Sequence, residues 1–365
     1  MLTPDAHATV GDPPHVAFVG TYTPDVEGNE APPGIYRLDQ DASGRLSEPE
    51  PIANLINPSF LALSPDGQSL YAVSELWGGR GTTGFVHTYR VQDEGTLTFI
   101  NRISSGGESP CHVRVDHSGH LVFTANYGDG IVRVFDTDSA GGLRTRQTLD
   151  LNDPDVKGPA RAHSVTCSPD NRYAYVCDLG QDRIWIFQIV DEGDPLVAGE
   201  VPFLQLPKGS GPRHFTFHPE LERAYVINEL GSTIVVLAPN AASGALEPLQ
   251  TLSTLPADFT DKNYCADIHI HPNGRWLYGS NRGHNSIFVA AIDADSGTLT
   301  PLQHIATGGD WPRNFAIDPT GRFLHVAHQR SQDIVSFAID PATGQLTATE
   351  GKLEMQSPVC ILFQD

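Results

Sequence analysis

The sequence predicts an all-β protein, a seven-bladed β-propeller with four-stranded blades, from two recurring markers and one match between its ends. The first marker is a polar turn, which reads SPDG at 64–67, DHSG at 116–119, SPDN at 168–171, HPEL at 218–221, HPNG at 271–274 and DPTG at 318–321. The second is a leucine shortly after a glycine or proline that opens a fourth strand: Leu46, Leu97, Leu143, Leu196, Leu246, Leu299 and Leu346. Their spacings of 51, 46, 53, 50, 53 and 47 residues suit four short strands and exceed most helical repeats. The ends of the chain reconcile six turns with seven leucines. SPVCILF near the C-terminus reads as a first strand without a successor, and VAFVGTY at 16–22 as a second strand without a predecessor. One blade therefore takes its first strand from the C-terminal segment and three from the N-terminal segment, which closes the ring and removes its open edges.

A chain of 365 residues exceeds the length at which separate cores usually arise. The repeat instead assigns 15–365 to one propeller domain behind an N-terminal extension at 1–14. Hydrophobic residues at 39% and charged residues at 18% supply a core and exclude disorder. Thirty-five glycines and 28 prolines serve the many tight turns. Five cysteines without any C-x-x-C spacing indicate neither a disulfide framework nor a zinc ribbon. No basic start followed by an apolar run marks a leader, so a cytoplasmic protein is expected. With 23 Lys+Arg against 44 Asp+Glu, the net charge of −21 disfavours nucleic acid and anionic membranes as partners. A monomer or weak homodimer is expected.

Aligning the repeats separates packing from chemistry. Tyr71, Phe123, Tyr175, Tyr225, Tyr278, His325 and Phe18 form one column, and a bulky ring in nearly every blade reads as packing between facing sheets. His218 and His271 open turns, where short polar side chains bond the local backbone, and read as structural. The heads of the first strands carry Ser59–Phe60, Cys111–His112, His163–Ser164, Arg213–His214, Ala266–Asp267, Arg313–Asn314 and Val359–Cys360. Innermost strands converge on the axis, so these residues line a common funnel. The ends of the second strands return to the same face with Thr21–Tyr22, Ser74–Glu75, Asn126–Tyr127, Asp178–Leu179, Asn228–Glu229, Asn281–Arg282 and His328–Gln329. Three guanidinium groups on one axis, Arg213, Arg282 and Arg313, repel one another at separations below the roughly 8 Å screening length. Either an anionic ligand lies among them, or Glu229, Asp178 and Asp267 neutralise them as a structural network.

At these residues the sequence resembles the bacterial β-propeller 6-phosphogluconolactonases and, more distantly, the fungal carboxymuconate-lactonizing enzymes. The matching stretches are AHSVTCSPDNR (162–172), QDRIWIF (181–187), GPRHFTFHP (211–219), NEL (228–230) and ADIHIHPNGRWLY (266–278). The resemblance implies His163, Arg213, Glu229 and Arg282 as catalytic residues, and hydrolysis of a small anionic sugar lactone, 6-phosphogluconolactone first among them. His112, His214, Asp267, Arg313 and Asn228 are the expected substrate-binding residues. The lead-in GPARAHSV and the sequel SNRGHNS depart from the family pattern, which bears on the choice of substrate.

Opening a lactone requires an activated water, a stabiliser for the oxyanion and an anchor for the rest of the substrate. Glu229 or His163 suits the general base, Arg213 the oxyanion, and Arg282 with Arg313 the substrate phosphate. No metal or other cofactor is required. On this reading Glu229→Gln and His163→Ala abolish turnover with little loss of stability. Three alternatives stay open: a lactonizing cycloisomerase acting on a dicarboxylate, a non-catalytic binding propeller, and a metal-dependent gluconolactonase. The last would use oxygen ligands from Asn126, Asp178, Asn228 and Asn281 near Glu75 and Glu229.

Overall fold

The computed structural model describes residues 15–24, 31–77 and 83–364; the expected extension at 1–14 lies outside them. Every regular element in it is a β-strand, and the strands assemble into seven sheets, six of four strands and one of five. Blades one to six have innermost strands Leu61–Leu63, Pro110–Val115, Ala162–Cys167, Pro212–Phe217, Tyr264–Ile270 and Pro312–Ile317. Blade seven closes the ring as the sequence requires. Its innermost strand is Pro358–Phe363, which pairs antiparallel with His15–Thr21, followed outward by Pro33–Gln40 and Glu50–Asn54.

Burial is greatest in the second strands and falls off toward the outer edge. The second strands are buried almost throughout, as in Leu121–Asn126 and Tyr173–Asp178, whereas outermost strands such as Leu143–Asp150 leave most positions open to water. Six of the seven marker leucines open an outermost strand. Leu46 does not: it makes one isolated bridge to Gln40, and the outermost strand of its blade begins at Glu50. The intervening Pro49 lacks the N–H that a continuous ladder needs.

The aromatic column does more than fill space. The hydroxyl of Tyr71 donates to the Gly141 carbonyl of the next blade at 3.1 Å, and Tyr175, Tyr225 and Tyr278 reach Gly244, Gly297 and Gly344 at 2.8–2.9 Å. Those four glycines sit at φ 71–82°, and an added Cβ at Gly344 would lie 2.3 Å from the Trp276 ring. His325 reaches Gln40 of blade seven at 2.8 Å. A second link lies four residues past the marker leucines. The side-chain amides of Asn101, Gln147, Gln250 and Gln303 each hold both backbone groups of the leucine that opens the next blade's outermost strand. Glu50, Glu200 and Glu350 occupy the matching positions elsewhere. Phe18 and Phe123 have no hydroxyl, so the seam from blade seven to blade one carries neither kind of link. There the apolar cluster of Phe18, Ile35, Leu55, Leu61 and Leu70 joins the blades.

Removing residues 357–365 deletes the strand that pairs with His15–Thr21, and the expected result is loss of the cooperative thermal transition with aggregation on size exclusion. A truncated chain that melts like the full one would refute closure by this strand. Tyr225→Phe removes one inter-blade hydrogen bond, and should lower the unfolding free energy by about 1 kcal/mol in urea titration.

Candidate active site

The site begins with an irregularity common to all blades. Near the head of each innermost strand one extra residue interrupts the ladder. Pro110 lies opposite Asn126 while His112 lies opposite Ala125, leaving Cys111 over. The same shift leaves over His163, Arg213, Arg313 and Val359. In blade five it falls between Cys265 and Ile268, and in blade one the bonds from Val73 N–H to Phe60 and from Glu75 N–H to Asn57 step over Ser59. A bulge of this kind re-aims a side chain that regular pleating would bury between sheets. Two residues before the extra one, Asn57, Ser109, Gly211, Trp311 and Ser357 adopt φ of 34–68°. For the bulky Trp311 this backbone is strained, a condition that persists where surrounding structure enforces it.

The bulges bring His163, Arg213 and Arg313 to the axis, where Glu229 and Arg282 arrive from the second strands. Glu229 Oε2 forms ion pairs with Arg213 Nε at 3.0 Å and Arg282 Nη2 at 2.7 Å. Arg213 Nη1 also donates to the Ala266 carbonyl at 2.6 Å. Arg282 donates to the carbonyls of Tyr264 at 3.2 Å and Cys265 at 2.9 Å, and lies over the Trp311 ring. Burial works against the Glu229 carboxylate, but the three arginines outweigh it and hold Glu229 below its ordinary value. Burial and the neighbouring guanidiniums pull Arg213 down to about 10. Burial also lowers Arg282, in spite of Glu229. The His163 ring stands edge-on to Tyr127 at 5.7 Å and to His214 at 5.4 Å. Burial, then Arg213, keeps it far below the usual histidine value, so the imidazole is neutral. Its Nδ1 is buried with no hydrogen-bond partner among the described residues.

One position further along each strand a second tier crosses the axis. Phe60 packs on His112 at 4.3 Å, and His112 faces His214 at 5.7 Å. His214 Nδ1–H donates to Asp267 Oδ1 at 2.7 Å, and Asn314 Nδ2 donates to Asp267 Oδ2 at 2.5 Å. Asn314 Oδ1 accepts the Ile361 N–H at 2.7 Å. Asp267 also meets His269 Nε2 at 3.0 Å. Burial alone would raise the Asp267 carboxyl, yet His269 and His214 hold it well below the carboxylate range. Burial opposes a charge on His269 too, and Asp267 overcomes it, raising His269 above its ordinary value. Burial and Arg213 push His214 down to about 4. The neutral His214 ring thus donates through Nδ1, and its Nε2 lies 3.2 Å from Arg213 Nη1 as an acceptor.

Of the anions expected to neutralise the arginines, Glu229 does so directly. Asp178 instead caps its hairpin, accepting from the N–H groups of Arg161, Gly180 and Gln181 and from Trp185. Asn126, Asn228 and Asn281 direct their amides to nearby backbone or hydroxyl groups, Asn228 to Thr233 Oγ1 at 3.0 Å. His218 and His271 bond the carbonyls of Gly274 and Gly321 in neighbouring blades and are structural. Two residues that the lactonase reading gave no role belong to the site. Glu75 is 1% exposed and accepts the Tyr22 hydroxyl at 2.8 Å, with Arg313 Nη2 4.0 Å from the same oxygen. Burial raises the Tyr22 phenol strongly, against Arg313, so it stays a donor. Glu75 holds the same register position as Glu229, and the alignment already contained that signal.

Residues 16–363 match the family described as lactonase, 7-bladed beta-propeller. The 6-phosphogluconolactonase of Bacillus subtilis (strain 168) is 35% identical over 309 residues, covering 82% of this chain and 84% of its own length. The 6-phosphogluconolactonase of Formosa agariphila is 36% identical over 310 residues, covering 82% and 85%. Among solved structures, the periplasmic gluconolactonase of Pseudomonas aeruginosa superposes with a TM-score of 0.88 at 33% identity, covering 96% of this chain and 99% of the other. A closed ring with this axial cluster is a lactonase propeller, and the chain belongs to that family.

Glu229 is the counter-ion of two buried arginines, so Glu229→Gln does not leave stability untouched; breaking such a pair costs about 3–5 kcal/mol. Both Glu229 and Asp267 have folded values below the ordinary ones. The stability they contribute is present above the usual carboxylate range near pH 4 and disappears as pH falls through their folded values. Thermal melts from pH 7 to 3 should show Tm dropping steeply at the acid end, and Glu229→Gln, starting lower, should drop less. An unchanged slope in that variant would show that Glu229 is not ionised by the arginines.

Proposed function

We propose that this chain hydrolyses a sugar lactone, 6-phosphogluconolactone first among them, without a metal, and that His163, Arg213, Glu229 and Arg282 carry the reaction. The observation that supports it is one carboxylate held between two buried guanidiniums beside a neutral, unengaged imidazole, all aimed at one axis. Water attacking the lactone carbonyl must lose a proton, and the neutral His163 ring is the group free to take it. Glu229 is already engaged by its two ion pairs and is not free to take that proton. Its role is to fix Arg213 and Arg282, whose charge then faces the oxyanion in a site already depleted of water. When the ring C–O bond breaks, the leaving alkoxide takes a proton from the imidazolium, which returns His163 to its starting state. His112, His214, Asp267 and Asn228 support the walls of the substrate site, and Arg313 lies toward the remote end of the substrate.

Names borne by relatives support the substrate class, with and without a phosphate. The axial arginines favour this reading over a cation-dependent one, since guanidiniums repel a metal ion. Five buried free thiols suit a reducing compartment, and we place the chain in the cytoplasm.

His163→Ala should lower kcat by about 10²–10⁴-fold with an unchanged melting temperature. Because its folded value lies far below the ordinary one near 6.5, kcat/KM should stay level from pH 8 down to about 6 and fall only further into acid. Wild-type turnover by His163→Ala would remove the histidine from this role. Full activity after exhaustive EDTA treatment is expected, and loss restored by a divalent ion would overturn metal independence.

A further inference from the structure

Glu75 follows the second strand of blade one as Glu229 follows that of blade four, three blades around the ring. The two carboxylates therefore approach the axis from different sides, and their surroundings differ. Glu229 sits between two guanidiniums that are also anchored to backbone carbonyls. Glu75 accepts a phenol hydroxyl at 2.8 Å, while Arg313 stays 4.0 Å away and lies over the Tyr22 ring at 5.3 Å. The Arg313 side chain, 15% exposed, makes no hydrogen bond to any described residue.

A guanidinium carries five N–H donors, and leaving such donors unmet in a desolvated place is unfavourable unless a ligand supplies acceptors. Tyr22 contributes to that condition. Its hydroxyl occupies Glu75 Oε2, the oxygen nearest Arg313, and so holds the carboxylate off the guanidinium. Charge points the same way. Arg213, Arg282 and Arg313 face Glu75 and Glu229, the histidines His112, His163 and His214 are neutral, and Asp267 is matched by His269. Three guanidiniums thus face two carboxylates around the axis, so the funnel as a whole favours an anion.

We propose that Tyr22, Glu75 and Arg313 form a subsite for a phosphate monoester on the substrate, with Arg313 binding the phosphate and Tyr22 and Glu75 acting as positioning residues. This rests on the lactonase reading and deepens it, by assigning the anionic arm to Arg313 instead of to Arg282, whose Nε and Nη2 are already engaged. A planar fork with free donors suits bidentate contact with phosphate oxygens.

The test compares 6-phosphogluconolactone with gluconolactone as substrates, and measures binding of 6-phosphogluconate by calorimetry. Arg313→Ala should reduce the ratio of kcat/KM for the phosphorylated over the unphosphorylated lactone by about 10- to 100-fold, through KM, and weaken product binding alike. Tyr22→Phe keeps the ring but frees Glu75 to close on Arg313, so it should raise KM for the phosphorylated lactone more than KM for the unphosphorylated one. Arg313→Lys retains the charge without the fork and should give an intermediate ratio, which guards against a folding defect in the alanine variant. An Arg313→Ala ratio equal to wild type, or an effect confined to kcat, would overturn the subsite. Failure of the wild type to open either lactone would instead sink the lactonase reading, while calorimetry with 6-phosphogluconate would still report on Arg313.

Discussion

The extra residue at the head of each innermost strand is the feature on which the chemistry depends. In a regular strand, alternation would send one of each adjacent pair into the packed interface between blades. With the bulge, both members face the axis, so His163 and His214 meet at 5.4 Å although they come from different blades. Seven strands use the same device, and only the side chains differ. A cysteine, a histidine, two arginines and three small residues occupy the equivalent places. Backbone strain at Trp311 and Asn57 accompanies this arrangement, and the surrounding sheets sustain it.

Burial makes the electrostatics consequential. Each guanidinium at the axis has lost most of its hydration, so its partners decide its state. Arg213 and Arg282 share one carboxylate oxygen, which lowers the proton affinity of Glu229 and leaves the pair rigid. The tier of His112, His214, Asp267 and Asn314 closes the channel one step further along and orients His214 through Asp267. Rigid charges already in place need no rearrangement when negative charge develops on a substrate, which is the physical basis of electrostatic catalysis.

Much of this was legible in the sequence because propeller repeats print their geometry as spacing. The turns and leucines located the blades, and the ends of the first and second strands named His163, Arg213, Glu229, Arg282 and Arg313 as neighbours. What stayed hidden was pairwise. The alignment placed Asp178 one column before Glu229 at the same face, without showing that Asp178 turns back to cap Gly180 and Gln181 while Glu229 turns forward to the arginines. It likewise placed Tyr22 and Glu75 at the right face without showing that their side chains touch. The amides of Asn101, Gln147, Gln250 and Gln303 did form a readable column, four residues past the marker leucines, but a surface glutamine on an outer strand attracts no attention until its partner is known. Leu46 shows the opposite failure, a marker with the right spacing where prolines prevent a strand.

Joints in a closed ring share the load, and the joint with the fewest fastenings yields first. Between blades seven and one, the aromatic column has Phe18 in place of a tyrosine and the amide column has Glu50, so the body of the sheets meets through apolar side chains. Polar crossings there lie at the mouth of the funnel: Tyr22 to Glu75, and Thr23 to Asn57 at 2.9 Å. Local opening of the native ring is therefore concentrated where the terminal strands meet the first blade. Anything gripping Arg313 from within would brace that joint, so occupancy of the funnel and the mechanical integrity of the whole ring are one equilibrium.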